Sequence, residues 1–294
     1  MTRFRTIIAV VGGIAALGHP AGAQKGPSAA DLLRAATDYL ASYAPRVSGV
    51  SLEESYTILD VSGGRVANTR RITSDVVLLD LAGKITALRD PYAVDDNPLR
   101  ERTPRITTLL AKPSQAAWDQ AQAFAAEGVR YFQDTLIVRL NDPMLALQLI
   151  APDNQLRVSG KIDGRKKMGG VEVVGLRLQE PKSREADYII KTPGKAQGSA
   201  RLWIDPATGR VHRTELSLQS SSEFVRIAVD YARDPALDLW LPAEMADTYE
   251  ITEVVGTSIS NMGAGSSGIG RRSFECRGTY SKARLTPIEM SVPK

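Results

Sequence analysis

Leu202-Trp203-Ile204-Asp205-Pro206-Ala207-Thr208-Gly209-Arg210-Val211-His212-Arg213-Thr214-Glu215-Leu216 reads as strand, turn and strand, and it carries the sharpest turn signal in the chain. Asp205 and Pro206 open the turn, Gly209 supplies the positive φ that closes it, and alternating residues follow on both sides. The same pattern spreads outward. Leu156–Ile162, Val171–Glu180, Ala186–Thr192, Ser199–Ile204, Arg210–Leu218, Phe224–Ala232, Leu241–Thr252 and Ser273–Leu285 are short strand-like runs punctuated by Gly, Pro or Asp. Strands joined by short turns predict an antiparallel meander, because parallel neighbours need crossover helices, and none fits between these runs. Several runs are two-faced: Val225, Ile227, Val229 and Tyr231 oppose Arg226, Ala228 and Asp230, while Val174, Leu176 and Leu178 oppose Gly175, Arg177 and Gln179.

Toward the N-terminus the period changes. Ser28 is placed to cap a helix whose Leu32, Leu33, Ala36, Tyr39, Leu40 and Tyr43 form one apolar face, ending before Pro45. Val50, Leu52, Tyr56 and Ile58 then alternate with polar residues up to a Gly63-Gly64 hairpin. The return strand runs from Val66 to about Ser74, followed by a more fully buried strand over Asp75–Ala82 and a short one over Ile85–Arg89. Residues 90–105, with Pro91, Pro98 and Pro104, predict a surface loop, and residues 115–132 a second helix able to pack closely on a sheet. Asp142-Pro143 begins a short third helix over Met144–Ile150. The Gly/Ser-rich stretch at about 256–270 reads as a loop. The fold class is α+β with antiparallel strands.

The composition of the 294 residues, 43% hydrophobic and 24% charged, supports a real core. Met1–Ala23 has the three parts of a secretory signal: Arg3 and Arg5, an apolar run from Ile7 to Leu17, and Ala21-Gly22-Ala23. That run gives roughly 16 Å of helix, too short to span a bilayer. The expected organisation is a signal peptide over 1–23, cleaved after Ala23, and a single exported domain over 24–294 with no further membrane span. Without Arg3 and Arg5 the charge is 35 basic to 33 acidic residues, which leaves no basic footprint for nucleic acid. One cysteine and two histidines, His19 among them in the leader, exclude zinc clusters, haem-type ligand sets and disulfide frameworks, so neither metal nor cofactor is expected.

Candidate chemistry is sparse. His212 shares a strand face with Thr214, Leu216 and Leu218. A base role with Asp205 or Glu215 is less economical than a packing role, since Glu215 points the other way. Cys276 alternates with Phe274, Gly278 and Tyr280, which predicts a buried, unreactive thiol. In-register folding of the Gly63-Gly64 hairpin sets Tyr56 opposite Arg71, and Glu54 then pairs with Arg71 at a cavity rim. No nucleophile, phosphate-loop or metalloprotease spacing marks the exported part, so no catalytic residue is assigned.

The strand and Asp-Pro-x-Thr-Gly turn at 202–216, with Trp240-Leu241-Pro242-Ala243-Glu244-Met245 and Tyr280-Ser281-Lys282-Ala283-Arg284-Leu285, resembles the outer-membrane lipoprotein carrier (LolA-like) superfamily and uncharacterised exported bacterial proteins of that supposed fold. The resemblance implies a half-open β-barrel or strongly curved sheet with helices covering its concave face. It also implies an arginine on an early strand that holds the cover, for which Arg70 and Arg71 are candidates. In such a fold an apolar cavity, lined here by Val50, Leu52, Tyr56, Val174, Leu176, Leu178, Val225, Ile227, Val229 and Tyr231, would take a lipid or a lipoprotein acyl chain. The function expected is then a non-catalytic periplasmic carrier or sensor. The alternatives are an envelope structural or interaction protein with a solid core and a protein partner, and a carboxylate-based hydrolase.

Overall fold

Alternating burial along the strands assembles them into one antiparallel sheet in the computed structural model, which describes residues 26–112, 114–132, 137, 140–180, 188–192, 195–256, 267–286 and 288. The strands are β1 (Val50–Ser62), β2 (Arg65–Leu81), β3 (Lys84–Val94), β4 (Asn97–Pro98), β5 (Ser159–Met168), β6 (Val171–Gln179), β7 (Gln197–Ile204), β8 (Val211–Gln219), β9 (Glu223–Asp234), β10 (Leu239–Gly256) and β11 (Ser267–Leu285). Their order is β4-β3-β2-β1-β11-β10-β9-β8-β7-β6-β5, an open sheet with an edge at each end. Every neighbour in that order is also a neighbour in sequence except β1 and β11, whose pairing joins the N-terminal hairpins to the C-terminal meander at the middle of the sheet. The expected curved α+β sheet is therefore the architecture. The segment 1–23, read as a leader, and residues 257–266 of the Gly/Ser stretch lie outside the described residues, while 267–270 extend β11.

Some boundaries differ from the sequence expectation. β2 is one continuous strand through Asp75, and its run Val76-Val77-Leu78-Leu79 is buried on both faces. The Pro-rich stretch begins as strand, because Pro91 takes a place in β3 opposite Ser74 and β3 continues to Val94, and only its later part, apart from Asn97–Pro98, is turn and loop. Residues 188–192 carry no strand. Met144–Ile150 is a 3-10 turn over Leu145–Ile150, followed by another over Pro152–Arg157, and Asp142 caps the entry by accepting from the Met144 N–H at 2.8 Å.

Helix α1 (Ala29–Val47) starts at the Ser28 cap, where a capping box with Asp31 satisfies the first N–H groups, and it runs through Pro45 in its last turn. Its face of Leu32, Leu33, Ala36, Leu40 and Tyr43 is buried on the inner face of the sheet, in the same core as Leu52, Leu176 and Ile227. Full burial of one such leucine stabilises by about 1.5–3 kcal/mol. The other two helices sit elsewhere. α2 (Arg105–Leu110) and α3 (Gln115–Glu127) pack on the outer face, where Val77 and Leu79 of β2 meet Ile106, Leu110 and Ala121. Helices therefore cover both faces rather than the inner one alone. Successive residues of β2 point to opposite sides, so Val76 and Leu78 serve one core and Val77 and Leu79 the other. The chain returns to the inner face around the β3 edge, where Gly128 lies so close to Pro91 that a Cβ would approach it to 2.6 Å. Phe132, Ile137, Leu140 and the two 3-10 turns then complete the inner cover.

Candidate functional site

All ten residues read as cavity lining lie on the inner face, and none is more than 7% exposed. Val50, Leu52 and Tyr56 come from β1, Val174, Leu176 and Leu178 from β6, and Val225, Ile227, Val229 and Tyr231 from β9. They belong to a single core with α1 and the cover segment. One narrow gap lies between cover and sheet. The gap bounded by Tyr39, Tyr43, Leu147, Ile150, Tyr231 and Trp240 measures about 10 Å³, barely a water molecule. The side chains of α1 and the cover segment pack directly on this face.

What fastens the cover is polar. Arg89 of β3 donates from Nε to Glu54 Oε2 at 2.5 Å and from Nη2 to Glu54 Oε1 at 2.7 Å, a forked pair with a fully buried carboxylate. The same guanidinium donates from Nη1 to Asn141 Oδ1 and from Nη2 to the Asn141 carbonyl, both at 2.8 Å. Burial alone would lower the arginine pKa, but the Glu54 charge overrides it and the net shift is upward. Around this latch, Tyr231 Oη donates to the Pro143 carbonyl at 2.8 Å, and Tyr43 Oη on α1 donates to the Trp240 carbonyl. Asp142 accepts from Thr86 Oγ1 and the Ala87 N–H, each at 3.2 Å, and burial raises its pKa.

The Glu54–Arg71 rim pair is not formed. β2 carries one extra residue, Ala67, in a bulge where the pairing steps from Asp60–Asn68 to Val61–Val66, so Tyr56 lies opposite Ile72 and Arg71 opposite Thr57. A one-residue shift moves a side chain to the other face. Arg71 accordingly points outward and pairs with Asp96, while Glu54 finds Arg89 in the core, away from any rim. Arg70 does reach the crossing segment, donating to the Tyr131 carbonyl at 3.2 Å.

A second buried polar group escaped the sequence reading. Asp247 of β10 accepts through Oδ2 from Tyr56 Oη at 2.5 Å and Tyr249 Oη at 2.7 Å, while Oδ1 has no partner. Burial pushes its carboxyl up to about 6, against the lowering effect of the two tyrosine hydroxyls. The signal was available, since period two puts Asp247 in line with Met245 and Tyr249. Cys276 is buried as expected, and burial raises its pKa strongly. His212 is buried against Trp240, with ring centroids 4.5 Å apart, and burial lowers its pKa. Asp205 serves the turn instead of His212, accepting from the Ala207 N–H and Thr208 Oγ1. Glu215 faces outward and pairs with Arg213.

An open cavity of about 700 Å³ lies on the outer face beside α2. There Glu53, Asp75 and Asp90 stand side by side on β1, β2 and β3, neutralised by Arg100, Arg102 and Arg105 from the segment that was expected to be a plain loop. Arg102 bridges Glu53 and Asp75, and Lys282 also reaches Glu53 at 2.8 Å. Among the described residues no group of His, Cys, Asp and Glu has the geometry to hold a metal ion.

No family model matches the chain, and no curated protein matches it. Among solved structures it is similar to a DUF1329 family protein from Desulfovibrio piger at 13% identity, covering 90% of this chain and 95% of that one with a TM-score of 0.38. It is similar to a putative outer membrane lipoprotein-sorting protein domain from Vibrio parahaemolyticus at 12% identity, covering 89% and 94% with a TM-score of 0.38. A LolA superfamily protein from Nitrosomonas europaea shares 14% identity over 87% and 94% of the two chains, with a TM-score of 0.31.

Proposed function

We propose that this protein is an exported, non-catalytic carrier or sensor of a hydrophobic molecule such as a lipid or acyl chain, described here in its closed form. The observation that carries the reading is the latch. A continuous apolar sheet face is closed by a separate cover, and the cover is tied down at Asn141 by the same buried arginine that Glu54 holds on the sheet. Apolar contact alone would bury the same surface. A buried charged pair costs desolvation that hydrocarbon avoids, and one documented use of such a pair is to fix a single arrangement among several. Release of Asn141 would let residues 141–157 and α1 lift as the cover and expose the face to a ligand, which would regain about 25 cal/mol for each Å² of apolar area it buries. The secretory pattern of Met1–Ala23 supports a periplasmic or extracellular site of action.

One observation favours a second reading, an envelope structural or interaction protein with a solid core: the gap under the cover is only about 10 Å³. Native mass spectrometry of protein purified from an envelope extract separates the two. A bound lipid mass, or saturable binding of an apolar fluorescent dye, supports the carrier. A ligand-free chain that also fails to bind the dye leaves the solid-core reading.

A further inference from the structure

The sheet ends at β5, an edge strand rich in cations. Lys161, Arg165, Lys166 and Lys167 fall within seven residues of this strand. Its only acid, Asp163, is already paired, accepting from Arg177 Nε and Arg201 Nε at 2.8 Å each. Glu172 across the hairpin pairs with Arg165 at 3.2 Å. Lys161 and Lys167 are exposed and have no ion-pair partner among the described residues, and Lys166 Nζ lies 3.8 Å above the Trp203 ring without a carboxylate.

Cations on an edge strand by themselves guard against unwanted strand pairing. This edge adds what a guarded edge avoids, protruding apolar side chains: Leu156 just before β5 is 98% exposed, Ile162 40% and Val171 36%. Interleaved cations and unshielded apolar groups are the composition of a segment that lies at a membrane interface, where phosphate groups meet the charges and the apolar side chains enter below them. A protein strand is a poorer fit to the same edge, because the bulge between Ile162 and Arg165, with Gly164 at φ +96°, interrupts the regular ladder that strand addition needs. We infer that the β5–β6 edge docks on an anionic lipid bilayer. α1 packs beside β5 and the Pro152–Arg157 turn, so docking brings the cover helix close to the membrane. The inference holds whether or not the inner face carries a ligand.

Vesicle flotation of the purified chain tests it, with phosphatidylcholine vesicles against vesicles containing phosphatidylglycerol. The chain is expected to float with the anionic vesicles only, and to be released by salt. Reversing two exposed charges, Lys161→Glu with Lys167→Glu, should weaken that binding by about tenfold or more. Leu156→Ser with Val171→Ser should weaken it several-fold while leaving it salt-sensitive. Reversing Lys112 and Arg284, two exposed cations by the outer-face cavity, should leave it unchanged. Failure of the chain to float with anionic vesicles overturns the inference and leaves the edge to a protein partner. Equal losses from the edge and control reversals overturn it as well, since binding would then follow overall charge rather than this surface.

Discussion

Arg89 and Asn141 are joined by two hydrogen bonds of 2.8 Å, one to the side chain and one to the backbone of the asparagine, and they are one of the points where sheet and cover meet. Asn141→Ala removes the first bond and keeps the second. The Asn141 Nδ2 has no partner, so its loss returns part of the cost, and a net destabilisation of about 1 kcal/mol is expected. The more telling outcome is increased binding of an apolar dye to the native variant, read by fluorescence titration beside the urea midpoint.

The arginine expected beside Glu54 and the one that binds it should behave very differently. Arg89→Met strands a fully buried carboxylate, and removal of one partner from a buried pair costs about 3–5 kcal/mol. Arg71 is half-exposed and pairs with the exposed Asp96, so Arg71→Met should change stability by less than about 0.5 kcal/mol. Chemical denaturation of both variants decides whether the register set by the Ala67 bulge is right.

Gly209 adopts φ +72°, and a Cβ there would collide with the Ala35 carbonyl of α1. Gly209→Ala should cost about 1–3 kcal/mol in strain and push the cover helix off the turn, raising dye binding. Gly64, at φ +76° with open space around it, is the control: Gly64→Ala carries the backbone cost without moving α1, and its dye signal should match that of the parent chain. Paired melting curves and dye titrations make the comparison.

Asp247 titrates near 6 when folded, above its ordinary value of 3.8, so between these pH values the folded chain binds more protons than the unfolded chain. Its contribution to stability is fully present below the lower value and is lost as pH rises through 6. Asp247→Asn should remove that slope and gain on the parent above pH 6, by about 3 kcal/mol at most. Urea midpoints of parent and variant at a series of pH values give the difference curve, and parallel curves across the window would contradict the assignment.

Much of this was legible in the chain because period two survives wherever one strand face is buried. β6, β8 and β9 lie close to where alternation put them, and the turn at Asp205–Gly209 is formed. The buried face of Val50, Leu52 and Tyr56 was also readable, as was that of Cys276 and Tyr280. The ion pair was not, because a bulge is an extra residue without a side-chain signature, and Ala67 in an exposed hairpin shows none. Nor was the side taken by α3. Its alanine-rich face fits either surface of a sheet, and the choice is made by Val77 and Leu79, whose run with Val76 and Leu78 marks burial on both sides but not which partner lies on which. The arginines at 100, 102 and 105 read as a solvated loop, and only cross-strand register reveals the three carboxylates beneath them.

The seam between β1 and β11, where Tyr56 lies beside Gly278, has a kinetic meaning. Contacts between such distant parts of a chain close slowly, since the entropy of a very long loop is lost before any of them forms. β1 gains its second neighbour only after β11 has been made, so the two halves remain unsewn through most of synthesis.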